Sequence, residues 1–318
     1  MRTSTLGDGG PEVGVVGLGC MGMTFAYDPN GRDDAVSTEV IRTALDLGVT
    51  LIDTADIYGP YSNEELVGAA LAGEYRERAV LATKVGLVPG EGGERIGRNG
   101  RPEHVRRAID ESLRRLGVDH VDLYQLHRVD PEVPIEETWG ALAEAVTAGK
   151  ARQIGLSEVT VEEIKRAQAV HPVASVQSEL SLWTRDPLAE VLPYTEEQGI
   201  AFLPFSPLGR GFLTGSITSA DDLSADDFRR SLPRFQQDAL KANLALVEAV
   251  GKVAGRHGAT PARIALAWVL AQGRYVLPIP GTKTPRYLAD NAASADLVLS
   301  AEDLAELDAL PAPTGGRY

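Results

Sequence analysis

Eight short apolar runs alternate with amphipathic segments along the chain, and this alternation restricts the fold more than any other feature. The runs are Val13–Leu18, Thr50–Asp53, Ala79–Lys84, Val121–His127, Ala151–Ser157, Val173–Gln177, Ile200–Ser206 and Tyr275–Pro280. Strands that alternate with helices are typical of a parallel sheet, and eight such strands close a (β/α)8 TIM barrel. The 318 residues suit one barrel domain spanning 1–318, and an open, doubly wound sheet is the alternative.

Start signals and stop signals place helices between these runs. A helix predicted over Pro102–Leu116 begins with proline and is followed by glycine, which is the usual asymmetry of helix ends. Thr160 with Glu163, and Ser62 with Glu65, have the spacing of a capping box. We also expect a C-terminal helix after the last barrel strand.

Two connections are long. The segments Val85–Arg101 and Pro207–Asp238 follow the third and seventh predicted strands. Both lie on the face where barrels carry their active sites, and loops of this length inside a compact domain are commonly functional. For the first loop, a tolerated insertion is the alternative.

The charge balance and the cysteine content exclude several kinds of function. The 45 acidic and 31 basic residues give a net charge of −14, which disfavours nucleic acids and anionic membranes as partners. Cys20 is the only cysteine, so an internal disulfide and a cysteine-rich metal site are both excluded. The sequence has no apolar run long enough to span a bilayer and no signal-peptide core. We expect a cytoplasmic protein without a metal site, whose oligomeric state the sequence leaves open.

Ionisable side chains end three consecutive strand runs. Asp53, Lys84 and His127 close the second, third and fourth runs, and Tyr58 lies in the loop after Asp53. Because the carboxyl ends of parallel strands meet at one face, we expect these side chains to lie together. An ammonium beside a phenol lowers the pKa of the phenol, so Lys84, held by Asp53, is expected to make Tyr58 a usable proton donor. With His127 orienting a carbonyl oxygen, the set suits hydride addition to a carbonyl, with the hydride supplied by a cofactor.

Two other interpretations of this set remain open. Asp53 and Lys84 alone also fit a buried ion pair without a catalytic role. Lys84 at the end of a barrel strand also suits a lyase or aldolase that forms a Schiff base with its substrate.

The segment Val15–Met23 contains the spacing G-x-G-x-x-G at Gly17, Gly19 and Gly22. In a Rossmann fold this pattern opens a helix directly after its strand, with an acidic residue about 20 positions further on. Here a loop containing proline and asparagine follows, and no helix is predicted before about Asp33. We therefore interpret the spacing as unrelated to a Rossmann fold.

The stretches LIDTADIYG, TKVG, LHR and IGLSE resemble the signature segments of the aldo-keto reductase superfamily. QSELSLWTRD, FSPLGRGFLTG and IPGTKTPRYLADN extend the resemblance, in order, over almost the whole chain. The similarity is greatest to the bacterial and plant auxin-induced-type and pyridoxal-type reductases. It implies a barrel that reduces a small-molecule aldehyde or ketone with NADPH. Tyr58 is then the general acid, which Asp53 and Lys84 tune, and His127 orients the substrate.

The resemblance also implies where NADP(H) binds. Ser157 and Gln177 are expected to contact the nicotinamide carboxamide, and Phe205 is expected to stack on the ring. Lys283 and Arg286 are expected to bind the 2′-phosphate, which favours NADP(H) over NAD(H). The complete expected set is Met21, Gly22, Asp53, Ser157, Gln177, Phe205, Ser206, Pro207, Leu208, Gly211, Gly281, Lys283, Arg286 and Asn291.

Three positions depart from the family pattern. Phe205 and Leu180 stand where the family commonly has tyrosine, and Asp290 stands where it usually has glutamate. Phenylalanine keeps the aromatic face for stacking and lacks the hydroxyl.

The substrate pocket is less defined by the sequence. Five residues near strand ends are candidates for its wall, with packing as the alternative for each: Met21, Met23, Phe25, Tyr27 and Trp183. Arg128 follows His127, and we expect a surface or ion-pair role for it, with recognition of an anionic substrate as the alternative.

A redox sensor that binds NADPH without substantial turnover is the alternative to an enzyme.

Overall fold

The computed structural model describes residues 1–27, 31–90 and 96–318. Its strands are β1 (Thr3–Thr5), β2 (Glu12–Gly14), β3 (Leu18–Gly19), β4 (Leu51–Asp53), β5 (Val80–Val85), β6 (Leu87–Pro89), β7 (Ile96–Arg98), β8 (Val121–Leu126), β9 (Ala151–Ser157), β10 (Ser175–Glu179) and β11 (Ala201–Phe205). Its α-helices are α1 (Asp34–Asp46), α2 (Ser62–Ala70), α3 (Glu74–Arg78), α4 (Pro102–Leu116), α5 (Ile135–Thr147), α6 (Val161–Gln168), α7 (Val191–Glu197), α8 (Gln237–His257), α9 (Pro261–Leu270), α10 (Pro285–Ala293) and α11 (Ala301–Asp308). Seven of these described strands form one parallel sheet in the order β11-β10-β9-β8-β5-β4-β3, and successive strands are joined through helices.

The segment Tyr275–Pro280 closes this sheet into a barrel. On the β11 side, the Leu277 N–H donates to Phe202 O at 2.9 Å. On the β3 side, Gly19 forms a parallel bridge with Gly281. Two prolines in the segment have no N–H for a regular ladder, so the eighth run contributes bridges instead of a continuous strand. The predicted (β/α)8 barrel is confirmed, and the doubly wound alternative is wrong.

The first apolar run, predicted as one barrel strand over Val13–Leu18, is divided in the structure. Its start belongs to β2, which pairs antiparallel with β1, and the barrel strand is the short β3. Glycines interrupt the run, and glycine weakens a strand interior. Leu6 and Val13 of the N-terminal hairpin region pack with Leu51 and Leu123 in one buried cluster. The hairpin therefore contributes to the core of the barrel instead of to its wall.

The structure confirms two of the three predicted helix ends. Gly117 follows α4 with a φ of 66°, and Thr160 forms the predicted capping box with its glutamate partner at the start of α6. The capping box predicted at Ser62 is wrong, because Ser62 is the first residue inside α2 and its Oγ donates to Gly59 O at 2.8 Å. Tyr61 holds the cap position with a left-handed φ of 69° and no side-chain cap.

Both long loops follow the strands for which they were predicted. The first carries the antiparallel hairpin of β6 and β7, and its residues 91–95 lie outside the described residues. The second contains 3-10 turns between Gly209 and Phe235 before α8 begins. After α11, the predicted C-terminal helix, the chain returns to the barrel, where Arg317 pairs with Glu158 and Glu179. Among the residues that the structure describes, none of the helices is long and apolar enough to cross a membrane.

Candidate active site

The ends of β4 and β5 bring Asp53, Lys84 and Tyr58 together. Lys84 Nζ lies 2.6 Å from Asp53 Oδ1, and the Lys84 side chain is 0% exposed. The same nitrogen donates to Thr54 O at 2.8 Å and to Tyr58 OH at 3.3 Å. All three ammonium protons thus have acceptors, so the buried cation is held in one position beside the phenol oxygen.

Two glutamines hold the second Asp53 oxygen. Gln125 of β8 and Gln177 of β10 donate their Nε2 groups to Asp53 Oδ2 at 3.2 and 2.9 Å. Gln177 Nε2 also lies 3.3 Å from Gln125 Oε1. Asp53 therefore accepts hydrogen bonds from side chains of three other strands. Gln125 was not predicted from the sequence, although a polar residue inside the apolar run Val121–His127 is a usable signal.

Burial decides the protonation state of Tyr58. The residue is 8% exposed, and this burial raises its pKa, while the charge of Lys84 opposes the rise. The net lowering expected from the sequence is not found, because the loss of phenolate solvation outweighs the neighbouring ammonium. Tyr58 is protonated at neutral pH and holds a proton that it can donate.

His127 carries a neutral imidazole. Burial lowers its pKa well below the ordinary value, and the charges of Lys84 and Arg128 lower it further. The ring meets the Tyr58 ring edge-on, with centroids 5.7 Å apart. Its buried Nδ1 has no hydrogen-bond partner among the described residues. A neutral ring carries one N–H, so His127 can donate to a bound oxygen without bringing a positive charge.

Asn63 ties the loop after β3 to the end of β4. Its Nδ2 donates to Cys20 O at 3.0 Å, and its Oδ1 accepts from Thr54 Oγ1 at 2.6 Å. Met21 and Gly22, two of the predicted cofactor residues, follow Cys20 in a 3-10 turn. Asn63 was not predicted from the sequence, since its role depends on contacts between segments that are distant in sequence.

The first two glycines of the G-x-G-x-x-G segment are needed for barrel closure. A Cβ on Gly17 would lie 2.9 Å from Ile279 Cγ2, and a Cβ on Gly19 would lie 2.9 Å from Ile279 O. A Cβ on Gly22 would lie 3.1 Å from the Tyr27 ring. Glycine at the first two positions therefore lets β3 approach the eighth run closely.

Two predicted nicotinamide contacts lie beside arginine side chains. Ser157 Oγ at the end of β9 accepts from Arg128 Nη1 at 3.0 Å. Phe205 at the end of β11 is half-buried. The guanidinium carbons of Arg128 and Arg317 each lie 5.9 Å from the Phe205 ring centroid. The structure thus brings the predicted carboxamide contact and the predicted stacking ring to one place.

The loop that begins with Ser206, Pro207 and Leu208 follows β11. The Gly209 N–H donates to Ser206 O at 2.9 Å, and the Gly211 N–H donates to Leu208 O at 3.1 Å. The N–H groups of these two glycines are therefore hydrogen-bonded inside the loop.

The residues predicted to bind the adenosine phosphate lie at the start of α10. Lys283 is half-buried and donates Nζ to Gly31 O at 3.1 Å. Arg286 is exposed in the first turn, and Asn291 is buried further along the helix. Gly281, at the end of the eighth run, connects the barrel to this helix. The two cations therefore stand at one helix N-terminus.

Three other positions turn inward. Asp290 pairs with Arg263 of α9 at 2.7 Å, and Leu180 is fully buried. Trp183 is 2% exposed and stacks on Phe212 with centroids 4.3 Å apart. Trp183, a candidate for the pocket wall, therefore has the alternative role of packing, because its ring is part of an aromatic core.

Sequence comparison agrees with this architecture. The profile of the Aldo/keto reductase family matches residues 15–312. Probable aldo-keto reductase 1 of Glycine max is 45% identical over 317 residues, which cover 98% of this chain and 90% of that protein.

Solved structures give the same result. A glycerol dehydrogenase from Gluconobacter oxydans has a TM-score of 0.81 and 32% identity, over 94% of this chain and 91% of its own. An aldo/keto reductase from Klebsiella pneumoniae, solved in complex with NADP and acetate, has a TM-score of 0.72 and 28% identity, over 99% of this chain and 97% of its own. With the barrel and the profile match, these likenesses show that the chain belongs to the aldo/keto reductase family.

Proposed function

We propose that this protein reduces aldehyde or ketone carbonyls to alcohols with NADPH, and that Tyr58 supplies the proton. The observation that carries the proposal is the position of Lys84 Nζ, 2.6 Å from Asp53 Oδ1 and 3.3 Å from Tyr58 OH. As the phenol gives up its proton, the fixed ammonium stabilises the phenolate that forms. A protonated phenol next to a permanent cation is therefore suited to general acid catalysis.

The other side chains orient the substrate and hold the cation. The neutral His127 donates a hydrogen bond to the carbonyl oxygen and places it near Tyr58 OH. Bound NADPH supplies the hydride to the carbonyl carbon. Gln125 and Gln177, which donate to Asp53 Oδ2, keep the carboxylate oriented toward Lys84.

The residues of this chain fit NADP(H). Ser157 and Gln177 present polar groups at neighbouring strand ends, which suits the carboxamide, and the half-buried Phe205 has a ring face suited to stacking. Lys283 and Arg286 stand at the N-terminus of α10, where cationic side chains and the helix dipole both favour a phosphate. The NADP complex of the Klebsiella pneumoniae relative supports this choice of cofactor.

The Schiff-base alternative is disfavoured by the state of Lys84. Burial lowers its pKa, but the charge of Asp53 and the hydrogen bonds to Asp53 and Tyr58 outweigh burial, and the pKa is raised. A Schiff base requires a neutral amine, whereas this nitrogen is charged and donates to three acceptors.

A screen of purified protein tests the proposal. Oxidation of NADPH is followed by the loss of its absorbance at about 340 nm. The carbonyl compounds supplied are aldehydes, quinones, pyridoxal and keto-sugars. We expect turnover of at least one carbonyl class, with the alcohol formed in equal amount to the NADPH consumed. Tight NADPH binding without turnover of any carbonyl would contradict the proposal and favour the redox sensor.

Charge reversal tests the cofactor preference. We expect Lys283→Glu combined with Arg286→Glu to raise the KM for NADPH much more than the KM for NADH. Reversal of Arg106 and Lys150, which form ion pairs with carboxylates of the outer helices, is the matched control. Equal changes of both KM values would contradict the assignment of these two cations to the 2′-phosphate.

A further inference from the structure

Arg128 is a half-buried cation beside the catalytic residues. It directly follows His127 at the end of β8 and donates Nη1 to His127 O at 2.5 Å and to Ser157 Oγ at 3.0 Å. Its guanidinium carbon lies 5.9 Å from the Phe205 ring centroid. The guanidinium therefore lies next to His127, which the proposed function assigns to the carbonyl oxygen.

No carboxylate neutralises Arg128 within the described ranges. The expected ion pair is not formed, since both of its side-chain hydrogen bonds go to uncharged oxygens. Other arginines near the barrel mouth are paired: Arg210 lies 3.2 Å from Glu179, Arg229 pairs with Asp227, and Arg317 pairs with Glu158 and Glu179. A half-buried guanidinium retains donors that an anion satisfies better than a neutral oxygen.

Apolar side chains, in contrast to the Arg128 cation, lie beside Tyr58. Met21, Phe25 and Leu87 are half-buried apolar side chains that pack against the cluster containing Tyr58. The Phe25 ring is stacked on Tyr58 with centroids 6.2 Å apart. Because apolar side chains lie next to the proton donor and an unneutralised cation lies next to His127, the surroundings favour a substrate with an apolar body and a negative charge.

We propose that Arg128 binds a carboxylate of the substrate, so that the enzyme prefers aldehydes with an apolar body and a carboxylate over neutral analogues. This inference rests on the proposed function and names the substrate class for the same site. Arg128 is then a specificity-determining residue, and it has no part in the proton or hydride transfer.

The test compares two aldehydes that differ in charge, 4-carboxybenzaldehyde and methyl 4-formylbenzoate. We expect the wild-type protein to have the higher kcat/KM for the carboxylate. Arg128→Met should lower kcat/KM for the carboxylate by about 10-fold or more, mainly through KM, and change the value for the ester by less than about threefold. Arg128→Lys should recover part of the loss, because it keeps the charge and loses the fork of donors. Arg106→Met, which removes an exposed arginine paired with Glu144 on the outer helices, is the control and should change neither value.

Calorimetry provides a second readout that does not need turnover. The protein saturated with NADP+ is titrated with 4-(hydroxymethyl)benzoate and with 4-(hydroxymethyl)benzamide. We expect tighter binding of the benzoate in the wild type and loss of this preference in Arg128→Met. If the wild type reduces none of the carbonyl classes in the screen, the proposed function is contradicted, and the binding preference still tests Arg128.

Three results would overturn the role of Arg128. The first is an equal loss for both aldehydes in Arg128→Met, which indicates a structural or positioning role. The second is weaker NADPH binding with an unchanged preference between the aldehydes, which assigns the side chain to the cofactor. The third is a wild type without any preference for the carboxylate in both assays.

Discussion

The buried pair of Asp53 and Lys84 makes a quantitative prediction for a double-mutant cycle of Asp53→Asn and Lys84→Met. The two charged atoms lie 2.6 Å apart, with side chains 4% and 0% exposed. Removing one partner leaves a buried charge without its counter-ion, which costs about 3–5 kcal/mol of stability. Removing both partners leaves no buried charge. The double variant should therefore lose far less stability than the sum of the losses of the two single variants. We expect a coupling free energy of about 3 kcal/mol.

The assay is urea unfolding at pH 7, followed by tryptophan fluorescence and by far-ultraviolet circular dichroism. Coincident transitions in the two signals justify a two-state free energy of unfolding for each variant. An unchanged dependence on urea concentration shows that a variant changes stability and not the compactness of the unfolded chain. Additive losses, with a coupling below about 0.5 kcal/mol, would refute the view that these two charges stabilise each other.

A pH series adds an independent check. The pKa of Lys84 is raised from its ordinary 10.5 in the folded protein, so the folded state holds this proton more tightly than the unfolded state. The stabilisation is therefore complete below 10.5 and is lost as the pH rises through the folded value. The stability difference between the wild type and Lys84→Met should be constant from about pH 7 to 9 and shrink in more alkaline solution. A difference that grows with pH would refute the argument.

Three further predictions concern other parts of the molecule. Gly19→Ala places a Cβ 2.9 Å from Ile279 O and should lower the free energy of unfolding by about 1–3 kcal/mol; Gly140→Ala, where a Cβ meets nothing within 4 Å, should not destabilise the protein, and equal effects would contradict the closure argument. The His127 ring should keep the NMR shifts of a neutral imidazole from pH 8 to about pH 5, because its pKa is lowered well below 6.5, and a titration near 6.5 would contradict its burial. Arg317→Ala removes two ion pairs and should speed amide hydrogen exchange in residues 309–318, whereas unchanged exchange would show that these pairs do not hold the C-terminal segment.

The interior strands and the clustering of ionisable side chains at their ends could be predicted because their signals are local and repeated. Asp53, Lys84 and His127 each end an apolar run, and parallel strands bring such ends to one face. The first and eighth strands were less predictable, because glycine interrupts one and proline interrupts the other. Their contribution to closure depends on contacts with each other and with β11, which a single sequence does not display.

Contacts between distant segments account for what the sequence analysis missed. Gln125 is a single polar residue in an apolar run, and its role becomes visible only with Asp53 and Gln177 beside it. Asn63 lies in a helix, yet its hydrogen bonds go to the loop after β3 and to Thr54. The protonation state of Tyr58 could not be predicted without the structure. Its pKa depends on the balance between burial and the Lys84 charge, and this balance depends on how deeply the phenol is buried.

Single-turnover kinetics of Tyr58→Phe test the central claim most directly. The variant keeps the ring and removes the proton donor, so we expect the rate of carbonyl reduction to fall by about 10²–10⁴-fold, with the Kd for NADPH within about twofold of the wild type. Tyr61→Phe in the same loop is the matched control, because Tyr61 is 41% exposed, and its rate should be unchanged. A Tyr58→Phe rate close to that of the wild type would show that another group donates the proton and would contradict the proposed mechanism.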